Sequence, residues 1–331
     1  MSKNLSSLSV LSQVGNTPLV NLNFLFDLPD GGPTLLGKLE YLNPGGSIKD
    51  RSALYMVEDA ERRGLLTPGG TIIEASSGNQ GIALAMIGAL KGYKVIITVP
   101  KHTSEEKVAT LRAYGAEVHV CRDTDTLEHP ESYHSIARGL LEKHANAFMP
   151  NQYFNTLNPE AHYSTTAPEL WKQIEGKITH FISGMGSCGT ISGIAHFLKE
   201  QNPEIQVYGV DSANSLLSAE EPKSYETEGI GVDVISDNLR RELIDEIFPV
   251  EDRDAFQTAR HIAHRGLLLG PSSGAVLHVA EKILPRLSST DVAVCILADS
   301  GRAYLGKVFS NNALFRSDEE TALYEKGVVN G

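Results

Sequence analysis

The chain has 331 residues, of which 41% are hydrophobic, and its 29 basic and 41 acidic residues give a formal charge of −12. This length can supply a large core in two lobes, and the negative charge disfavours binding to nucleic acid or anionic membranes. The three cysteines lack the spacing of metal ligands or of a disulfide scaffold, and no segment resembles a signal peptide or a membrane span. We therefore expect a cytoplasmic protein that binds neither nucleic acid, membrane nor metal ions.

Strand-like and helical segments alternate along the chain. Short apolar runs predict strands at residues 71–73, 95–99, 117–120, 180–183, 207–210 and 292–297. Apolar residues at helical spacing predict helices at 79–91, 104–114, 132–144, 161–174, 190–201, 253–265 and 273–287. This alternation is typical of an α/β protein with mostly parallel sheets flanked by helices. We place a smaller, mobile substrate lobe at residues 41–154, a larger lobe at 1–40 and 155–317, and a flexible tail at 318–331.

The segment 45–51, GGSIKDR, places Lys49 after two glycines and at the start of a predicted helix. The first turn of a helix carries unpaired N–H groups and the positive end of the helix dipole, which lower the pKa of a lysine held there. A neutral amine can attack a carbonyl, so Lys49 is a candidate covalent catalyst. Taken alone, the segment fits a capped surface helix, with Lys49 and Arg51 facing water, at least as well.

The predicted helix after Lys49 has its own local signals. Gly64 ends a run of apolar residues at helical spacing. Glu58 and Arg62 can pair one turn apart, and Ser47 and Asp50 have the spacing of a capping box. These signals predict a capped helix that ends before Gly64.

Two strand-to-helix loops are rich in hydrogen-bond donors. The loop 74–81, EASSGNQG, is dense in hydroxyls and amides that can bind a carboxylate, and Asn79 can reach a phenolic oxygen. The loop 269–274, LGPSSG, opens another helix, where a serine hydroxyl can face a ring nitrogen. Each loop also fits a plain turn or a helix cap, which Ser272 or Ser273 would supply.

The loop 184–189, GMGSCG, follows a predicted strand and precedes a helix, and the next strand ends in Asp211. This arrangement formally matches a dinucleotide-binding fingerprint. Ser187 and Thr190 add hydroxyls to the glycine N–H groups, and this combination suits a compact phosphate monoester at a helix N-terminus. A plain tight turn is the third interpretation.

Together these segments resemble the fold type II pyridoxal-phosphate enzymes of the cysteine synthase and cystathionine β-synthase family, nearest to a cystathionine β-synthase catalytic core. Matching motifs occur in order over nearly the whole chain. Beyond 45–51 they are GNTPL at 15–19, SSGNQG at 76–81, NQY at 151–153, GSCGT at 186–190, EGIG at 228–231 and DS at 299–300. So many ordered motifs favour pyridoxal phosphate over a dinucleotide.

The resemblance implies a role for each motif. Lys49 bonds the cofactor, pyridoxal 5′-phosphate, which the larger lobe binds, and later moves the proton of the substrate's Cα. The implied cofactor-binding residues are Lys49, Asn79, Gly186, Ser187, Cys188, Gly189, Thr190 and Ser272. The implied substrate-binding residues are Ser76, Ser77, Asn79, Gln80, Gln152, Glu228 and Gly229. The resemblance also implies a homodimer that acts on small amino-acid and thiol substrates.

Ser272 falls where the family faces the pyridine nitrogen. Serine cannot keep that nitrogen protonated as an aspartate would, so the ring is a weaker electron sink and expulsion of a β-substituent is favoured. The loop 186–190 departs from the family because Ser187 replaces a threonine and Cys188 stands where glycine is customary. The position of Cys188 near a helix N-terminus can lower its pKa. We interpret it as structural, because no resolving cysteine lies nearby in sequence.

The subfamily depends on fewer residues. Glu228 resembles cystathionine β-synthase, where cysteine synthases usually carry glutamine, and Asp233 agrees; an acid at Glu228 can meet the amino group of homocysteine. Val232, Thr103 and Gln80 depart from the tyrosine, methionine and threonine usual in relatives. We interpret the activity as cystathionine β-synthase-like, joining serine and homocysteine, ahead of O-acetylserine sulfhydrylase (cysteine synthase). A diaminopropionate synthase-like β-replacement, an NAD-dependent dehydrogenase and an inactive scaffold homologue are the remaining alternatives.

Overall fold

Two sheets organise the protein in the computed structural model, which describes residues 9–76, 78–101, 103–124, 126, 128–232 and 234–310. The strands are β1 Leu19–Asn21, β2 Thr34–Leu39, β3 Thr71–Ala75, β4 Lys94–Pro100, β5 Glu117–Cys121, β6 Ala147–Phe148, β7 His180–Gly184, β8 Gln206–Ser212, β9 Glu246–Val250 and β10 Val292–Leu297. A six-stranded sheet has the order β1-β2-β10-β7-β8-β9 and a four-stranded sheet the order β5-β4-β3-β6. Among the described strands only β1 pairs antiparallel, with β2. The α/β architecture with mostly parallel sheets is therefore confirmed.

Helices connect the strands and cover both sheets. They are α1 Lys49–Arg62, α2 Asn79–Lys91, α3 Glu105–Ala113, α4 Tyr133–Lys143, α5 Leu157–Ala161, α6 Ala167–Gln173, α7 Gly189–Gln201, α8 Asp252–His264 and α9 Pro271–Ile283. The predicted helix at 161–174 is wrong as one α-helix, because its first part is a π-helical turn at His162–Thr166 and only α6 is α-helical within the rest; α5 precedes it except for Ala161. The other predicted helices agree with the structure to within a few residues.

All six predicted strands are present, but β1, β2, β6 and β9 were missed. The pattern of β2 is interrupted by Gly37 and the buried Lys38, and β9 contains Pro249. β1 and β6 have only three and two residues, respectively. These four strands lack the continuous apolar runs on which the sequence prediction depended.

The large sheet is buried on both faces. Ala293, Cys295 and Leu297 of β10 pack in one cluster with α8 and α9, whereas Val294 and Ile296 pack in a second cluster with α7. Alternate side chains of a strand point to opposite faces, so this division shows helices on both sides. The carboxyl ends of β7 and β10 consequently open into a space between helix N-termini, where ligands bind in parallel α/β sheets.

The start of α1 differs from the expected capping box. Ser47 Oγ accepts the Lys49 N–H at 3.2 Å, and the Asp50 carboxylate accepts the Gly45 N–H instead of returning to Ser47. The expected pair of Glu58 and Arg62 was also wrong, because Arg62 binds Asp59. Asp50 thus closes the glycine turn in front of the helix.

Strands β3 to β6 of the four-stranded sheet fall within residues 41–154, the range predicted for the smaller lobe. We propose that the four-stranded sheet is the centre of the smaller lobe and the six-stranded sheet that of the larger lobe. The expected tail at 318–331 lies outside the described residues. Over the part of the chain that the structure describes, none of the helices has the length and apolar character needed to cross a membrane.

Candidate active site

A cleft of about 540 Å³, partly open to solvent, lies at the carboxyl ends of β7 and β10. Four helices begin around it: α1, α2, α7 and α9. Its lining residues are Ile48, Lys49, Asn79, Ser183, Gly184, Gly186, Ser187, Cys188, Thr190, Gly229, Ser272, Val276, Ile296 and Ala298. The structure therefore brings together segments that are more than 200 residues apart in sequence.

Lys49 is the first residue of α1 and projects into this cleft. Its Nζ lies 3.2 Å from Ser187 Oγ. Burial lowers the pKa of Lys49 to about 8, because a desolvated ammonium is disfavoured relative to the neutral amine. A fraction of the amine is therefore neutral near pH 7. The direction of this pKa shift agrees with the sequence prediction, but the main cause of the shift is burial.

The loop between β7 and α7 has no room for additional side chains at two glycines. A Cβ on Gly189 would lie 2.1 Å from Asn158 Oδ1, and a Cβ on Gly186 would lie 3.0 Å from the Gly229 carbonyl oxygen. Cys188 has a left-handed backbone, with φ of 60°. The loop turns tightly at this point and directs the first N–H groups of α7, which have no partner within the helix, toward the cleft.

Two hydroxyls of this loop, those of Ser187 and Thr190, contact side chains of the segment 158–162. Asn158 Nδ2 donates to Ser187 Oγ at 3.1 Å, and Thr190 Oγ1 lies 3.3 Å from His162 Nε2. Burial lowers the pKa of His162 well below its ordinary value, so its ring is neutral at neutral pH. Neutral neighbours, hydroxyls and a helix N-terminus together form an environment suited to a phosphate group.

Cys188 lines the cleft, but its thiol is a weak nucleophile. Its thiol lies 3.4 Å from the Gly186 carbonyl oxygen. Burial raises the pKa of Cys188 to about 12, and this outweighs the lowering that a position near a helix N-terminus can cause. Because the thiolate is the reactive form, this thiol has little reactivity at neutral pH.

Asn79, the first residue of α2, is fixed by two residues that the sequence analysis gave no role. Its Nδ2 donates to Asp299 Oδ2 at 2.7 Å, and the Tyr304 hydroxyl donates to the same oxygen at 2.5 Å. Since an amide nitrogen carries two hydrogens, the second remains available for the cleft. Asp299 belongs to a motif identified in the sequence, but its partner lies 220 residues away.

Ser272, not Ser273, faces the cleft. Ser273 Oγ accepts the Ala298 N–H at 3.0 Å, which holds the segment after β10. A Cβ on Gly229 would lie 3.2 Å from Ser272 Oγ, so these residues are in contact across the cleft wall. The N-cap of α9 is Gly270, and neither serine caps this helix.

Several predicted substrate-binding residues lie beside the lining of the cleft. Ser76 Oγ accepts the N–H groups of Gly78 and Gly81 at 3.2 and 3.1 Å, so it shapes the turn into α2. The Gln80 amide is buried, and neither of its polar atoms has a hydrogen-bond partner among the residues that the structure describes. Ser77 and Asp233 lie outside the described residues.

Gln152 is placed by a buried acid on β3. Glu74 accepts the N–H groups of Asn151 and Gln152 at 2.8 and 3.0 Å. Burial raises the pKa of Glu74 to about 7 despite these two bonds. The loop that carries Gln152 is thereby attached to the end of β3, next to Ser76.

Glu228 forms an ion pair that joins the loop before Gly229 to helix α3. Lys107 of α3 lies 2.5 Å from Glu228 Oε2, and Lys307 lies 3.6 Å from Glu228 Oε1. The Lys107 ammonium also lies 4.5 Å from the centre of the Tyr304 ring. Sequence reasoning found Glu228 but not its partner, because lysine at one position of an amphipathic helix carries no specific signal.

The dinucleotide interpretation fails at Asp211. Its carboxylate is fully buried and accepts hydrogen bonds from Ser215 and Ser218, the latter at 2.6 Å. A ribose-binding acid must present its oxygens to the ligand. Asp211 instead stabilises the chain that follows β8.

Comparisons with known proteins agree with this geometry. A model of the family described as "Pyridoxal-phosphate dependent enzyme" matches residues 10–299. A cystathionine beta-synthase from Apis mellifera is 45% identical over 308 residues, which are 91% of this chain and 61% of that protein. A probable cysteine synthase from Bacillus subtilis is 42% identical over 297 residues, 88% of this chain and 94% of that protein.

The solved structure of an O-acetylserine-dependent cystathionine beta-synthase from Helicobacter pylori is also similar. Its TM-score is 0.84 at 36% identity, and the match covers 90% of this chain and 97% of that one. The chain spans 55–64% of the length of the cystathionine beta-synthases from animals, yeast and Dictyostelium discoideum that it matches. The range that the family model matches includes all the residues that line the cleft. The chain therefore belongs to the pyridoxal-phosphate-dependent enzyme family.

Proposed function

We propose that the chain catalyses a β-replacement, in which a thiol displaces the β-substituent of serine or of an O-activated serine. The observation that carries this proposal is the amine of Lys49, which is buried with a lowered pKa and lies 3.2 Å from a hydroxyl of the glycine loop before α7. One cleft thus combines a nucleophilic amine with a phosphate-binding loop.

The residues of the cleft fit pyridoxal phosphate. Gly186 to Thr190 would hold its phosphate, since this loop has no space for further side chains and offers helix N–H groups. Lys49 would bond its aldehyde, Asn79 would donate to its phenolic oxygen, and Ser272 would face its ring nitrogen. Each group of the cofactor thereby meets a residue type that can bind it.

When bound, pyridoxal phosphate supplies an electron sink for the bonds at the substrate's Cα. Ser272 presents a neutral hydroxyl and cannot hold a proton on the ring nitrogen as a carboxylate would. We therefore expect loss of a β-substituent to be favoured over transamination. Lys49 would take the Cα proton and later return it.

The substrate carboxylate would bind at the turn before α2. Ser76 accepts two N–H bonds and keeps its own hydroxyl hydrogen to donate, and Asn79 and Gln80 lie on the following turn. The unpartnered, buried Gln80 amide supports a ligand there, because a buried amide without partners is costly. Gln152 approaches from the loop held by Glu74.

For the substrates we propose serine and homocysteine, with Glu228 near the amine of homocysteine. The similarity to several cystathionine beta-synthases supports this pair. O-acetylserine with sulfide is the second candidate, since the chain is also similar to a probable cysteine synthase. The similarity to an O-acetylserine-dependent cystathionine beta-synthase supports O-acetylserine as the donor. Analysis of the products formed from both donors and both acceptors distinguishes the two candidate substrate pairs. If cysteine forms only from O-acetylserine and sulfide, the order of the two candidates is reversed.

The central test is Lys49→Ala. We expect β-replacement to fall by at least about 10²-fold, because the variant lacks the amine that moves the Cα proton. Some cofactor should stay bound through the phosphate loop, but borohydride should no longer fix it to the protein. The matched control is Lys199→Ala, at the far end of α7, which pairs with Asp245. Near-normal turnover by Lys49→Ala would refute the assignment.

A further inference from the structure

Asn158 and His162 reach the two hydroxyls that line the cleft at the start of α7. Both side chains are fully buried, one on α5 and one on the π-helical turn that follows it. Two glycines of α7 make room for this segment. A Cβ on Gly189 would lie 2.1 Å from Asn158 Oδ1, and a Cβ on Gly193 would lie 2.9 Å from His162 Cβ. The close approach of the two helical segments therefore brings both side chains to the loop.

The orientation of the Asn158 amide is fixed by a backbone carbonyl group. Its Nδ2 donates to the Gln152 carbonyl oxygen at 2.8 Å and to Ser187 Oγ at 3.1 Å. A carbonyl oxygen can only accept, so the amide nitrogen must face these two groups. Both amide hydrogens are thereby used, and Ser187 Oγ is the acceptor. The hydroxyl hydrogen of Ser187 consequently remains available for the cleft.

His162 contacts Thr190 at an equivalent place, but its hydrogens can be arranged in two ways. Nε2 lies 3.3 Å from Thr190 Oγ1, and Nδ1 lies 2.9 Å from Thr166 Oγ1. Burial, followed by the nearby charges of Lys49 and Arg51, lowers the pKa of His162 well below its ordinary value. The neutral ring has one N–H and one acceptor nitrogen. Each of the two ring nitrogens could therefore be the donor.

The two arrangements differ in what Thr190 presents to the cleft. If Nδ1 carries the hydrogen, Nε2 accepts the Thr190 hydroxyl hydrogen, and the hydroxyl has only lone pairs left for the cleft. If Nε2 carries the hydrogen, Thr190 Oγ1 accepts it and keeps its own hydrogen for the cleft. Phosphate oxygens are strong acceptors. Only the second arrangement lets Thr190 donate to a phosphate.

We propose that His162 is a positioning residue for the cofactor's phosphate, because its Nε2–H donates to Thr190 and directs the Thr190 hydroxyl hydrogen into the cleft. This inference rests on the proposed function, which places the phosphate at the loop before α7. Thr166 donates to Nδ1 and holds the ring in this tautomer. Hydroxyl, imidazole and hydroxyl then form one directed chain of hydrogen bonds. Asn158 gives Ser187 the same polarity, so both loop hydroxyls donate to the phosphate.

The first test measures binding of pyridoxal 5′-phosphate and of pyridoxal to the full chain stripped of cofactor. These ligands differ only in the phosphate, so the ratio of their dissociation constants isolates its binding site. His162→Met should raise the dissociation constant of pyridoxal 5′-phosphate at least about tenfold, as for one hydrogen bond to a charged group. The dissociation constant of pyridoxal should not change. Equal weakening of both ligands would identify a packing role and overturn the proposal.

His162→Gln is the matched variant, because its amide nitrogen can donate where Nε2 does. It should bind pyridoxal 5′-phosphate more tightly than His162→Met, and equal affinities of the two variants would contradict the proposal. The second control is His196→Met, which removes an exposed histidine of α7 that lies near Glu200. This variant should leave both dissociation constants unchanged.

A double-mutant cycle with Thr190→Val tests whether His162 acts through the Thr190 hydroxyl. In a chain that already carries Thr190→Val, His162→Met should cause no further loss of affinity for pyridoxal 5′-phosphate. Additive losses would show that His162 acts by another route and would refute the positioning role.

The ¹⁵N NMR spectrum of the holoprotein reports the tautomer directly. With ¹⁵N-labelled histidine, Nε2 should be the protonated nitrogen of His162, whose signals are assigned by their loss in His162→Gln. Protonation at Nδ1 would overturn the proposal. If His162→Met does not fold, this spectrum and the affinity of His162→Gln still decide. Failure of the proposed function is distinguishable, since a chain that passes these tests and forms no β-replacement product would refute that function alone.

Discussion

At the scale of single residues, reactivity at the cleft is set by what surrounds each group. Lys49 and Cys188 both lie at helix starts, yet burial lowers the pKa of the lysine to about 8 and raises that of the thiol to about 12. The reason is common to both, because burial disfavours the charged form in each case. Burial in the cleft therefore favours the reactive neutral form of the amine and the unreactive protonated form of the thiol.

The lowered pKa of Lys49 gives a pH prediction. Apoprotein should regain covalently attached pyridoxal phosphate faster as pH rises from 7 to 9, because the neutral amine, the form above the pKa, is the nucleophile. The rate of borohydride-fixed label at Lys49 measures this. Lys49→Ala is the control and should give no label, and a rate that is flat through pH 8 would contradict the pKa direction.

At the scale of elements, the loop before α7 depends on the close approach of α5. Asn158 of α5 donates to Ser187 and leaves no space for a Cβ at Gly189. The loop before α7 is therefore shaped by a short helix of which the sequence analysis predicted only the last residue, Ala161. No local signal in the motif 186–190 indicates this neighbour.

Gly189→Ala tests that contact. The added Cβ would lie 2.1 Å from Asn158 Oδ1, so the loop or α5 must move. We expect the dissociation constant for pyridoxal phosphate to rise at least about tenfold and the unfolding free energy to fall by about 1–3 kcal/mol. Gly139→Ala in α4 is the control: no heavy atom lies within 4 Å of its Cβ, and alanine should stabilise the helix by up to about 1 kcal/mol. Unchanged cofactor affinity in Gly189→Ala would contradict this account.

At the scale of the whole molecule, a buried charge network attaches α1 to the large sheet. Arg51, two residues after Lys49, donates to Glu40 at 2.7 Å and to Glu169 of α6 at 2.9 Å. Lys38 of β2 also pairs with Glu169. Since α1 carries Lys49, this network fixes the position of the amine relative to β7 and β10.

Glu169→Gln should destabilise the protein by about 3–5 kcal/mol at pH 7, because Lys38 would keep a buried charge without an ion-pair partner and Arg51 would keep only Glu40. Burial alone would raise the pKa of Glu169, but Arg51 and Lys38 lower it to about 2. Its contribution is therefore complete above about pH 4.5, the ordinary value, and is lost as pH falls toward 2.

Denaturant unfolding followed by the fluorescence of Trp171, the single tryptophan of the chain, measures this difference. Glu175→Gln is the control, since its pair with Lys177 is exposed and should contribute less than about 1 kcal/mol. A similar small loss in both variants would show that the network contributes little to stability.

The sequence alone determined the alternation of strands and helices and the glycine loops, because these features depend on spacing within a few turns. Its resemblance to a known family implied most of the residues that line the cleft. The tertiary structure decided which groups meet. Asn79 finds Asp299 across 220 residues, and Lys107 finds Glu228 across 121. It also decided the pKa of Lys49 and the failure of the Ser47 and Asp50 capping box. Such contacts and burial follow from how two sheets and their helices pack, and no local pattern encodes them.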